Sequence, residues 1–227
     1  MVDQKKLDYI SSYISKLLRK NFGRGPHSCQ TSFNNKFLVT FIRGFVTPME
    51  EVLLNQGHSK DVDNARTLIM EQLLEEIKGV VQVSLETEVN EYYHDWNYPN
   101  NSGVIVIVLE KEEDHRDISE IDVPALEKEI GKLSLLVEKV PDQIYTYPIT
   151  PNIYVIERIG ILVPIEKALL EKGYEQELRF TKDELEKSYF HRDGRFQDIF
   201  HKDIRDIFID WNFKENKSIM VFLLNSL

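Results

Sequence analysis

The stretch "IRGFVTPMEEVLLNQG" at residues 42–57 returns as "RIGILVPIEKALLEKG" at residues 158–173. With Gly44 set on Gly160, six identities fall into register: Gly44/Gly160, Pro48/Pro164, Glu50/Glu166, Leu53/Leu169, Leu54/Leu170 and Gly57/Gly173. So long a period is not that of a solenoid. It is the mark of a domain duplicated in tandem. Asp95-Trp96-Asn97 repeats as Asp210-Trp211-Asn212, and "VIVIVL" at 104–109 repeats as "IMVFLL" at 219–224. The offset shortens by one residue between Gly173 and Gly194. A chain of 227 residues, 42% of them hydrophobic, can bury a core in each of two such domains. The boundaries read as 1–110 for copy one, a charged linker "KEEDHRDISEIDV" at 111–123, and 124–227 for copy two.

Two copies resolve each other's ambiguities. Each opens on an amphipathic helix, with Leu7, Ile10, Ile14, Leu17 and Leu18 in copy one and Leu126, Ile130, Leu133 and Val137 in copy two. A hairpin follows, turning at Asn34-Asn35 or at Thr150-Pro151-Asn152. A short helix comes next. Thr47 is its N-cap, Pro48 its first residue and Glu50 the return partner of a capping box, and Gly57 and Gly173 are its stops. Val163 stands where Thr47 does, which weakens the second cap. Residues 61–89 read as one long helix with Gly79 as a candidate kink, because the partner segment from Thr181 to about Asp206 keeps helical spacing at Phe196, Ile199, Phe200, Ile204 and Ile207. A second hairpin closes each copy. The expected fold is α+β: two α-β-β-α-α-β-β units, each an antiparallel sheet covered by helices, paired about a pseudo-twofold axis.

The chemistry is sparser. A net charge of −10 without a basic block argues against nucleic acid. Cys29 is the only cysteine, so neither an intrachain disulfide nor a Cys-rich zinc site can form. The N-terminus lacks the apolar core of a signal peptide, and the apolar runs are strand-sized, so a cytoplasmic protein with no membrane span is expected. His27 beside Ser28 and Cys29 is a poor nucleophile set, since strand neighbours point to opposite faces. His27, His58 and His94 lack metal-ligand spacing, and His191 and His201 stand too far apart on one helix to share an ion. No catalytic residue, metal or cofactor is therefore assigned. Trp96 and Trp211 read as core or interface.

The loop Gly23-Arg24-Gly25-Pro26-His27 is either a helix stop or an anion cradle. Arg24, Arg43 and Arg66 align with Val140, Ile159 and Lys182, so copy two loses these arginines while keeping its glycines and apolar positions. Residues needed for folding should persist in both copies, and residues of a site need persist in only one. On that ground Arg24, Arg43 and Arg66, with Gly23, Gly25 and His27, form a candidate anion site in copy one. Copy two, with Gly160, Pro164, Glu166 and Gly173, is expected to be structural.

"GRGP" at the end of the first helix, then Arg43-Gly44-Phe45-Val46-Thr47-Pro48-Met49-Glu50, then Arg66 early in a long helix, resembles the MpsC-like domain family over roughly residues 5–110. Copy two is tied to it through copy one. The family takes its name from a proposed sodium-translocating, membrane-potential-generating system of Firmicutes. The resemblance implies a small cytoplasmic protein working beside membrane transporter components, without an established enzyme activity. The expected function is thus a non-enzymatic accessory or regulatory module acting through a protein partner, such as a transporter subunit, with the intrachain pair free to form a further homodimer. The alternative is a small-anion sensor or enzyme with its site in copy one.

Overall fold

The structure is a computed structural model that describes residues 3–110 and 121–225. The chain divides into two compact units, Met1–Arg116 and Asp117–Leu227. Most of the charged linker lies outside the described residues; its last residue, Val123, is already helical.

Unit 1 runs α1 (Gln4–Phe22), β1 (Ser28–Asn34), β2 (Phe37–Arg43), α2 (Pro48–Asn55), α3 (Ser59–Leu85), β3 (Val89–Asn97) and β4 (Ser102–Leu109). Its four strands form one antiparallel sheet in the order β1-β2-β4-β3. Inward residues Leu38, Ile42, Ile105, Ile107 and Leu109 meet the stripes of α1 (Ile10, Ile14, Leu17) and α3 (Met70, Leu73, Leu74, Ile77, Val81) in one core. The turn between β1 and β2 places Asn35 at φ 56°, a conformation asparagine tolerates.

Unit 2 repeats the plan: α4 (Val123–Val137), β5 (Gln143–Thr150), β6 (Ile153–Ile159), α5 (Pro164–Glu171), α6 (Glu175–Asp193), α7 (Phe196–Phe200), β7 (Ile204–Asn212) and β8 (Lys217–Leu224). Its sheet has the equivalent order β5-β6-β8-β7.

The long helices depart from expectation. In unit 1 the helix stops at Leu85, with Glu86 in the left-handed conformation at its end, and Val89 begins β3. α3 runs unbroken through Gly79. In unit 2 the helix breaks: Gly194 is extended (φ −76°, ψ 130°), α7 is a separate short helix, and Ile204 and Ile207 belong to β7. Phe196 causes the break to pay off in packing. It folds back against Phe190 and Phe222, with ring centroids 6.0 and 4.7 Å away, and fills the core from a direction that a continuous helix would not allow.

Candidate functional site

Gly44 and Gly160 are repeated because their backbones leave no choice. Their φ values are +66° and +73°, and an added Cβ would lie 2.4 Å from the His27 ring and 2.0 Å from the Asp142 carboxylate. Each turn delivers the chain to a short helix over the same polar anchor. The Gly44 N–H donates to the Asn101 carbonyl (2.8 Å), and the Phe45 and Val46 N–H groups donate to Asn101 Oδ1 (2.7 and 2.9 Å). Asn216 repeats this in unit 2, accepting from Gly160 (2.8 Å) and Leu162 (2.8 Å). These two asparagines were not singled out from the sequence, although one offset relates them to each other and to Trp96 and Trp211.

The capping box forms as expected. The Thr47 N–H donates to Glu50 Oε2 (2.8 Å), and the Glu50 N–H donates to Thr47 Oγ1 (3.3 Å). In unit 2 Val163 has no oxygen to offer, and only the return bond from the Val163 N–H to Glu166 Oε2 (2.9 Å) remains. Pro48 and Pro164 open the two helices, and Gly57 and Gly173 follow their ends at positive φ.

Glu50 does more than cap. Its carboxylate receives Arg66 from α3, with Nε 2.8 Å from Oε1 and Nη2 3.0 Å from Oε2. Arg66 Nη2 also donates to the Phe45 carbonyl (3.3 Å). The guanidinium carbon lies 4.3, 4.2 and 4.8 Å from the ring centres of Phe22, Phe45 and Trp96. Arg66 is 1% exposed. A planar cation in a bidentate pair, faced by three rings, is a buried tie between α2 and α3. Arg66, expected beside Arg24 and Arg43 in an anion site, is thus already engaged by Glu50. Arg24 and Arg43 are exposed. Arg24 Nη2 lies 3.1 Å from His27 Nε2, and its Nη1 reaches the Val46 carbonyl (3.4 Å). Gly23 is the left-handed cap of α1, and Gly25 packs against the Arg19 side chain. Burial pushes the Cys29 thiol up to about 12, so it stays protonated and unreactive at neutral pH.

Unit 2 keeps more charge than its aligned residues suggested. Lys182 stands in for Arg66 and pairs with Glu166 (2.9 Å) as Arg66 pairs with Glu50. Lys139 bonds Asp142 (2.7 Å) three residues on, as Arg24 contacts His27, so the equivalent of Arg24 is Lys139 rather than Val140. A separate one-residue deletion, in the loop after the first helix, hid this equivalence, and the register shift between Pro148 and Thr150 restores the offset before α5. Only Arg43 has no cationic equivalent.

Lys182 also belongs to a larger buried assembly. It pairs with Glu138 and lies 3.5 Å from Glu186. Arg158 on β6 meets Glu186 at 2.6 Å and Glu138 at 3.9 Å, and its Nε and Nη1 donate to Ser218 (2.9 Å) and Ser134 (3.4 Å). Trp211 Nε1 donates to Glu186 Oε1 (3.1 Å). Burial, then the Glu186 carboxylate, push Glu138 up to about 7, against the pull of Arg158 and Lys182. Burial alone would lower Lys182, but Glu186, Glu138 and Glu166 raise it above the ordinary lysine range.

Among the described residues no helix is long and apolar enough to cross a membrane, and no group of three or more His, Cys, Asp or Glu side chains is arranged to hold a metal ion. No curated protein and no solved structure matches the chain. One family model does, that of the Na+-translocating membrane potential-generating system (MpsC), and it matches twice, over residues 3–111 and 126–226. Two matches on two units of one topology, together spanning nearly the whole chain, show that this protein belongs to the MpsC family as a tandem duplication.

Proposed function

We propose that the protein is a non-enzymatic accessory or regulatory module of a membrane transport or ion-translocating system, working on the cytoplasmic side through a protein partner. The family's description supplies the system. The observation that carries the partner is the inverted character of the short helices. The only fully buried side chain of α2 is Glu50, while Met49 and Val52 are 71% and 55% exposed. α5 repeats this, with Glu166 buried and Ile165 70% exposed. A helix anchored by its glutamate, with apolar side chains turned to solvent, is a preformed surface for another protein.

The test is capture of transporter subunits from detergent-solubilised membranes by the full-length protein. The double variant Met49→Asp/Val52→Asp should reduce capture at least about tenfold with an unchanged unfolding midpoint, because both side chains are exposed. Equal capture by the variant would remove this surface from the reading. A second reading, a small-anion site, rests on the exposed contact between Arg24 and His27, with Arg43 as the remaining arginine. Phosphate or bicarbonate would then raise the melting temperature of the wild type but not of Arg24→Ala.

A further inference from the structure

Five positions change character together between the two units. Leu18, Phe22, Ile42, Met70 and Gly103 of unit 1 correspond to Ser134, Glu138, Arg158, Glu186 and Ser218 of unit 2, by helix burial and strand register. All five replacements enter one network. Unit 1 holds a balanced pair at this place, Glu50 with Arg66. Unit 2 holds three carboxylates, Glu138, Glu166 and Glu186, against two cations, Arg158 and Lys182. The side chains of Glu138, Glu186 and Arg158 are no more than 1% exposed. Fully ionised, the network would bury one negative charge without a counter-charge, which proteins avoid by neutralising a group.

One atom is free to do this. Glu138 Oε1 is buried and has no hydrogen-bond partner, whereas Oε2 is held by Lys182. We propose that unit 2 is a proton-binding unit, in which Glu138 takes up one proton from solvent as a neutral carboxylic acid and so balances the network. The charged groups acting on it come from every side: Lys182 and Glu186 on α6, Arg158 on β6, and Glu166 on α5 through Lys182. Ser134 on α4 and Ser218 on β8 accept hydrogen bonds from Arg158, and Trp211 on β7 donates one to Glu186. Its raised titration range agrees with this placement and puts the exchange near neutral pH. Glu138 is the C-cap of α4, so the proton governs how firmly the end of α4 is held against α6. The unit thereby becomes sensitive to pH, whatever partner the short helices engage.

The direction of the effect follows from linkage. Native Glu138 keeps its proton up to about pH 7, while the unfolded chain releases it near the ordinary glutamate value of 4.5. Between these values the native state binds more protons, so this group's contribution to stability falls as pH rises through that window.

The experiment is a carbon-13 NMR titration of glutamate δ-carbons in the full chain, from about pH 5 to about pH 9. One signal should titrate with a midpoint near 7, and it should vanish in Glu138→Gln. Relative to that variant, the wild type should lose urea resistance in unit 2 as pH rises. Glu186→Gln removes the excess negative charge and should lower the midpoint by more than about one pH unit. The proposal fails if every wild-type glutamate titrates below about pH 5.5. It also fails if the signal near 7 survives in Glu138→Gln, or if its midpoint is unmoved by Glu186→Gln. Should Glu138→Gln not fold, the wild type and Glu186→Gln still decide the matter.

Discussion

Arg66 stands four residues from Val62 and four from Met70 on the buried stripe of α3, and that spacing is legible in the sequence. A charged residue on an apolar stripe either leaves the stripe or finds a buried partner. Glu50, already recognised as the return half of a capping box, was that partner; what sequence spacing did not reveal was that α2 packs its glutamate onto α3. The same stripe in unit 2 reads Leu178, Lys182, Glu186, Phe190, with two charges on it. The rule that site residues need persist in only one copy points to Arg24, Arg43 and Arg66 of unit 1, of which Arg66 is buried against Glu50, whereas the asymmetric buried charge is in unit 2. Breaking a buried pair leaves one charge uncompensated, so Arg66→Ala should cost about 3–5 kcal/mol. Arg24→Ala and Arg43→Ala, at exposed positions, should each stay within about 0.5 kcal/mol. Urea unfolding of the full chain, read on the transition of unit 1, separates these cases. A near-neutral Arg66→Ala would refute the tie between α2 and α3.

At the scale of elements, comparison of the two copies rightly identified a long helix where "VVQVSLETEVN" alone resembles a strand. It overran the C-terminal end in both copies, and in unit 2 apolar spacing in "IFHKDIRDIF" satisfies a helix and a following strand equally well. Gly79 and Gly194 show why a shared residue did not mean shared geometry. An added Cβ at Gly79 meets nothing within 4 Å, in the exposed flank of a continuous helix. At Gly194 it would lie 2.2 Å from the Phe196 ring and 2.6 Å from the Phe190 carbonyl. Gly79→Ala should therefore stabilise unit 1 by about 0.5–1 kcal/mol, through reduced freedom of the unfolded chain. Gly194→Ala should destabilise unit 2 by about 1–3 kcal/mol, because the phenylalanine cannot be accommodated without a shift. Opposite signs are expected from the same denaturation experiment. A stabilising Gly194→Ala would mean that the break between α6 and α7 does not depend on that close approach.

Over the whole molecule, the duplication was legible from six aligned identities and reappears as two sheets of one topology. A physical reason to expect it can be read in the sheets. In β4, Ile105, Ile107 and Leu109 belong to the core under α1 and α3, while Val104, Val106 and Val108 alternate to the other face. In β8, Met220, Phe222 and Leu224 face the unit's helices, and Ile219, Val221 and Leu223 alternate away from them. An antiparallel sheet meant for water on one face would place polar residues there. A unit of about a hundred residues with a second apolar sheet face is marginal by itself, and its usual remedy is a symmetric partner. A second copy on the same chain would be such a partner at high effective concentration, and the separated copies test that expectation. Residues 1–116 and 117–227, produced separately, should therefore self-associate or bind hydrophobic dyes, and should unfold at lower temperature than the full chain. Sedimentation velocity on each fragment, and on their mixture, measures this directly. Should each fragment sediment as a stable, dye-free monomer, the second faces need no cover, and the duplication would have to be explained by the divergence of the buried charges alone.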